Sequence, residues 1–152
     1  STLCGYLRIQ NLTQDYPVMT TYFDAEIIGH RFGFLTSNDW GATEQDDLKH
    51  WGKFPAFRML KNELKRPGLT ISEQERPVTF MRWKERFLVP DHKTKEINGA
   101  SFAGFYYVAI KESSGGDPAT MTGFYFHPYS EPYQQLSLTH IPERTSSSFE
   151  FC

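Results

Sequence analysis

Val78 to Val89 reads VTFMRWKERFLV, an alternating run in which one acid stands where an apolar residue is expected. Side chains along a strand point alternately to opposite faces. Met81, Trp83, Glu85, Phe87 and Val89 therefore share one face, while Arg82, Lys84 and Arg86 share the other. Among aromatics, Glu85 looks inward. A carboxylate taken out of water is costly unless a charge or several donors compensate it, so something cationic should meet it. The basic neighbours point the other way, as a solvated strand face. That leaves a distant residue or a ligand to supply the charge.

Strands dominate the rest of the chain. Leu3 to Gln10 alternates, and Met19 to Ile28 alternates again after the turn at Asp15-Tyr16-Pro17. Past Ser37, the acids Glu44, Asp46 and Asp47 suit a helix N-terminus. Pro55 suits the first turn of a second helical piece, where Phe57, Leu60 and Leu64 recur at helical spacing. Lys65 to Pro77 is a polar loop. Phe102 to Ile110, Met121 to His127, Gln134 to His140 and Ser148 to Phe151 follow, set apart by Gly, Pro, Ser or Asp clusters. That is the spacing of antiparallel strands in a barrel or a sandwich. Phe102, Gly104, Tyr106 and Val108 share a face, and Met121, Gly123, Tyr125 and His127 repeat the pattern. Two phenols, an acid and small residues on one interior either line a cavity, or are core tyrosines bonded to backbone around an ion-paired Glu85.

Composition sets the outer bounds. A chain of 152 residues and 17.6 kDa makes one domain with a real core. No apolar stretch approaches the roughly 18 residues of a membrane span. A net charge of −2 and a pI near 6.2 give no electrostatic footprint for nucleic acid. The start at Ser1, without Met or signal-like segment, suggests a piece of a longer chain. Cys4 and Cys152 read as free thiols in a reducing compartment, where the acceptor Asn11-Leu12-Thr13 stays unmodified.

Catalytic and cofactor motifs fail. His30, His50, His92, His127 and His140 show neither HxH nor HExxH spacing, so no metal site is expected. Gly99 and Gly104 lack the Lys-Ser or Lys-Thr of a phosphate loop, and no cofactor is implied. Gly99-Ala100-Ser101-Phe102-Ala103 approaches a nucleophile elbow, but a strand follows where a helix is required. Glu85 could act as a general acid assisted by Tyr106, yet no second inward carboxylate completes a glycosidase pair.

Several blocks carry a resemblance. Leu3-Cys4-Gly5-Tyr6-Leu7, Lys49-His50-Trp51-Gly52-Lys53-Phe54, Phe80-Met81-Arg82-Trp83-Lys84-Glu85 and Phe87-Leu88-Val89-Pro90-Asp91-His92 are four of them. The stretch from Gly99 to Tyr107 and the closing Phe149-Glu150-Phe151 complete the set. In one order from Leu3 to Phe151, these resemble the vacuolar import and degradation family, substrate receptors of the GID/CTLH E3 ubiquitin ligase. The resemblance implies an eight-stranded antiparallel, lipocalin-like β-barrel with a helical insertion. Its tunnel would take the N-terminus of a protein that begins with proline and present the bearer for ubiquitination and proteasomal degradation.

By that similarity Glu85 and Tyr106 hold the terminal amine, and Gly99, Ser101 and Tyr125 bond the first peptide residues. Leu7, Ile9, Leu12, Met19, Leu88 and Phe102 line an apolar wall, and Gln134 contacts the peptide farther out. Strict alternation places Leu88 opposite Glu85, so its place in the wall requires a bulge or bend. Phe149 and Phe151 would dock on an armadillo-repeat scaffold subunit of the ligase, in the cytoplasm and also the nucleus. Met19 and Phe149 stand where better-known relatives carry Leu and Tyr, and a family strand upstream of Leu3 is absent from this chain. A lipocalin-like carrier of a small hydrophobic molecule is the alternative.

Overall fold

The computed structural model describes residues 2–10, 18–64, 78–88 and 104–141. Six strands form a single antiparallel sheet, paired in chain order. They are β1 (Thr2–Gln10), β2 (Val18–Ile27), β3 (Val78–Leu88), β4 (Phe105–Lys111), β5 (Thr120–Phe126) and β6 (Gln134–Thr139). Between β2 and β3 lie a short 3₁₀ turn (Asn38–Trp40), α1 (Glu44–Trp51) and α2 (Pro55–Leu64). The fold is mainly β with a helical insertion, as the strand spacing implies. Among the described residues the sheet is open: β1 and β6 are its edges. The expected last strand, Ser148 to Phe151, lies outside the described residues.

Local chemistry sets the elements. Thr43 caps α1 through a reciprocal box in which its hydroxyl accepts from Asp46 N–H and the Asp46 carboxylate accepts from Thr43 N–H at 2.9 Å. Pro55 opens α2, where its missing N–H has no helical acceptor to lose. The β4–β5 hairpin turns on Gly115 and Gly116, whose φ values of 57° and 91° are accessible to glycine at little cost. Ser114 and Asp117 close that turn, with Asp117 N–H donating to Ser114 C=O at 2.9 Å. From this two-residue loop the register runs back to place Tyr106 opposite Tyr125.

Each face of the sheet carries its own core. On one, Trp51, Phe54, Phe57 and Leu60 from the helices pack on Phe80, Phe105, Tyr107 and Phe126. On the other, Leu7, Phe23, Ala25, Met81, Trp83, Val108 and Met121 form a second cluster. The helical insertion corrects one expectation, because Arg82 does not lie on a solvated face. It is 1% exposed, pairs with Glu26 at 2.9 Å and donates to Gly33 C=O at 2.9 Å. Burying such a pair costs several kcal/mol per ion before attraction is counted. Each fully buried large apolar side chain contributes roughly 1.5–3 kcal/mol, so the surrounding ring cluster outweighs that cost.

A second expectation also fails. Cys4 is disulfide-bonded rather than a free thiol. Cys152 lies outside the described residues. No described helix is long and apolar enough to cross a membrane.

Candidate functional site

Glu85 sits on the inner face of β3, directly across from Phe23 of β2, and is 7% exposed. Cross-strand partners share a face, and the adjacent row, two residues back along β3, runs on across the sheet. Trp83 pairs with Tyr106, Tyr106 with Tyr125, and Tyr125 with Gln134. Exposure grades along that row: Trp83 is buried, the two tyrosines are partly buried and Gln134 is exposed. The tyrosine rings are 5.3 Å apart at 59°. Gly104 makes room for the second, since a Cβ there would stand 2.5 Å from the Tyr125 hydroxyl.

The wall residues fall beside the acid because of one irregularity. Tyr22 pairs with Phe87 and Phe23 with Glu85, so β3 carries an extra residue, Arg86, in a bulge. Beyond it the phase reverses. Leu88 pairs with Thr21 and joins the inner face, and Phe87 turns outward. Sharing a face with Glu85 was expected of Phe87, but it is 52% exposed and stacks on Tyr22 at 4.9 Å. Leu7 and Met19 are buried on the inner side, and Ile9 pairs with Met19. Leu12, Gly99, Ser101, Phe102, Phe149 and Phe151, expected at the peptide or scaffold sites, lie outside the described residues, as does Val89.

Burial raises the Glu85 carboxyl above its usual range, opposed by the nearby Thr21 hydroxyl, by the field of Lys84 and by the Tyr106 hydroxyl. Among the described residues Glu85 enters no ion pair. The strand's bases are engaged elsewhere: Arg82 with Glu26, Arg86 with Asp24 at 3.0 Å, and Lys84 Nζ with Gly104 C=O at 2.8 Å. Tyr106 is held protonated far above the ordinary phenol range, chiefly by burial and then by the Glu85 charge. A carboxylate so placed keeps acceptor capacity unspent. The arrangement suits an incoming cation.

Thr21 was not anticipated. It is wholly buried near Glu85, with its hydroxyl donating to Leu7 C=O at 3.5 Å, and the only signal for it in the sequence is its phase with Met19 and Phe23. Asp47, read as a helix-start acid, is instead a buried acceptor. It takes hydrogen bonds from Thr36 N–H at 2.7 Å, from the Thr36 hydroxyl, and from Tyr107 OH at 2.8 Å. His50 stacks on Tyr107 at 4.6 Å, and burial lowers its pKa. These groups fasten the helices to the sheet on the face away from Glu85. A pocket of about 340 Å³ bounded in part by Asp24, Glu26, Phe32, Trp40 and Arg86 also lies away from it. Both its acids are already paired with arginines. No cluster of three metal-ligating side chains occurs among the described residues.

Comparison with known proteins places this geometry in a lineage. The chain is 48% identical over 152 residues to a glucose-induced degradation protein 4 homolog of Mus musculus, covering 99% of this chain and 68% of that one. It is 35% identical to the GID complex substrate-recognition subunit 4 of Schizosaccharomyces pombe, over 99% of this chain and 80% of that protein. Against the subunit of the same name in Saccharomyces cerevisiae it is 34% identical, over 98% of this chain and 55% of the relative. A family model described as vacuolar import and degradation protein matches residues 1–141. The chain therefore belongs to the vacuolar import and degradation family.

Proposed function

We propose that this chain is a non-enzymatic substrate receptor of a multisubunit E3 ubiquitin ligase of the GID type, and that it binds proteins through an N-terminal proline. One observation carries this reading: a buried carboxylate with hydroxyls beside it and no ion pair among the described residues, next to a row of side chains that opens to solvent at Gln134. A protonated terminal amine completes the charge that Glu85 lacks, and the pyrrolidine ring suits the apolar surround. Relatives named as substrate-recognition subunits of the GID complex support the receptor role.

In this account the sheet belongs to an eight-stranded barrel, and its inner face lines the peptide tunnel. Glu85 and Tyr106 hold the amine. Gly99, Ser101 and Tyr125 bond the first residues, while Leu7, Ile9, Leu12, Met19, Leu88 and Phe102 form the wall. Gln134, near the mouth, contacts the peptide farther out. Phe149 and Phe151 dock on an armadillo-repeat scaffold subunit, in the cytoplasm and the nucleus. Truncation after Ser148 should abolish scaffold binding and spare peptide binding; unchanged scaffold binding rules the docking tail out.

Calorimetric titration with a Pro-first peptide, its N-acetylated form and a fatty-acid probe tests the central reading. Binding of the free peptide alone is expected. Saturable binding of the fatty acid without any response to the peptide points to a carrier instead.

A further inference from the structure

Phe23 stands between two partners on the inner face, Gly5 on β1 and Glu85 on β3. Its ring lies flat on Trp83, with centroids 4.3 Å apart and planes 13° from parallel. The far edge of the ring reaches over Gly5, on the side away from β3. A Cβ built at Gly5 would stand 2.9 Å from Cζ of the ring and 3.1 Å from Cε1. No real Cβ tolerates that approach, so any residue with a side chain at position 5 forces the ring to move. Stacked as it is, the ring cannot move freely. Gly5 is therefore a slot for this one aromatic edge, and the ring is held between that slot and Trp83 of β3.

What lies around the stack fixes its role. Phe23 and Trp83 are both buried, and Ala25, Met81, Val108 and Met121 fill the same face beyond them. Packed interiors leave few voids that a ligand atom could enter. A group that pairs with Glu85 thus has the Phe23–Trp83 stack as its neighbour on the closed side, while the row toward Tyr125 and Gln134 leads outward. The first side chain of a bound peptide has to fit between the acid and that stack.

Resting on the reading of Glu85 as the anchor for a terminal amine, we propose that Phe23, seated in the Gly5 slot and stacked on Trp83, sets the size of the first residue admitted. Two substitutions should move selectivity in opposite directions. Phe23→Leu shortens the floor and makes room, so affinity for a Leu-first or Ile-first peptide rises relative to a Pro-first peptide. A change of about 10-fold in that ratio is expected, the scale on which an apolar pocket discriminates a methylene. Gly5→Ala pushes the ring edge out of its slot and into the space beside Glu85, so the larger first residues lose more affinity than proline does.

The experiment titrates Pro-first, Ile-first and Leu-first peptides, otherwise identical, into the wild type and both variants, after thermal melts have established that each is folded. Opposite shifts of the ratio support the assignment. A ratio within two-fold of wild type in both variants overturns it. Should Phe23→Leu fail to fold, the ratio in Gly5→Ala decides alone, because that change adds one methyl and removes no packing. An N-acetylated Pro-first peptide is titrated into the wild type in parallel. Discrimination against it, with unmoved ratios in the variants, sinks the size filter and leaves the anchor standing; equal binding of free and acetylated peptides takes down both.

Discussion

The hydroxyl of Tyr106 donates to the carboxylate of Glu85 across neighbouring strands, in a place where burial works against the charge it supports. A hydrogen bond to a charged group contributes roughly 1.5–3 kcal/mol. Tyr106→Phe should therefore weaken binding of a Pro-first peptide by about 10-fold to 100-fold with little change in fold, measured by calorimetry beside a far-ultraviolet melt. Unchanged affinity would remove Tyr106 from the site.

Glu85 should destabilise the unliganded fold at neutral pH. Its carboxyl is raised by burial from the ordinary value of 4.5, so the folded state holds a proton that the unfolded chain gives up first. Below that value both states are protonated and no penalty exists. As pH rises toward the raised folded value, stability falls. Glu85→Gln should consequently melt higher than wild type at pH 7, with the difference closing as pH drops below about 4. A lower melting temperature for the variant at pH 7 would show that the pocket favours the charge even when empty.

Asp47 should hold the helical insertion in place without touching the peptide. Asp47→Ala strands the buried Tyr107 hydroxyl and the Thr36 N–H, each left at a cost of roughly 1–3 kcal/mol. The melting temperature should fall by roughly 5–15 °C, while the peptide affinity of the folded fraction stays within a few-fold. A selective loss of affinity with normal stability would mean that the two faces of the sheet are coupled.

Peptide affinity should be highest near neutrality and fall on both sides. On the acid side, Glu85 takes up its proton at a pH above the ordinary carboxylate range, because burial raises it. On the alkaline side the peptide amine loses its proton, from a reference near 7.7–8.0. Titrations from pH 5 to 9.5 check this. A flat profile for Glu85→Gln on the acid side, against a sloping one for wild type, assigns that limb to Glu85.

The inward acid was legible because alternation is a strictly local property of strands, and the six residues from Phe80 to Glu85 carry it without interruption. Helix α2 was legible for the same reason, with Phe57 and Leu60 both buried at helical spacing. The bulge at Arg86 was not legible in the strand itself, because no Gly or Pro marks it; only the resemblance, by putting Leu88 on the wall, required a bulge or bend there. That single backbone event moves Phe87 outward and Leu88 inward. Arg82 escaped for a different reason. Its face is covered by an insertion that lies elsewhere in the chain, and nothing in the strand itself announces the cover. Asp47 belongs to the same class, since a helix-start acid and a buried acceptor look alike until Thr36 and Tyr107 are brought to it.

Pairing between Glu85 and a terminal amine is tested most directly by a thermodynamic cycle. Wild type and Glu85→Gln are each titrated, by competition against a labelled peptide, with a Pro-first peptide and with its N-acetylated form. Truncating one partner of a buried charge pair costs roughly 2–5 kcal/mol, about 30-fold to several thousand-fold in affinity. Acetylation should therefore weaken binding to the wild type by at least about 30-fold, and binding to Glu85→Gln by no more than a few-fold, because the partner is already gone. Equal acetylation penalties in the two proteins would contradict the pairing.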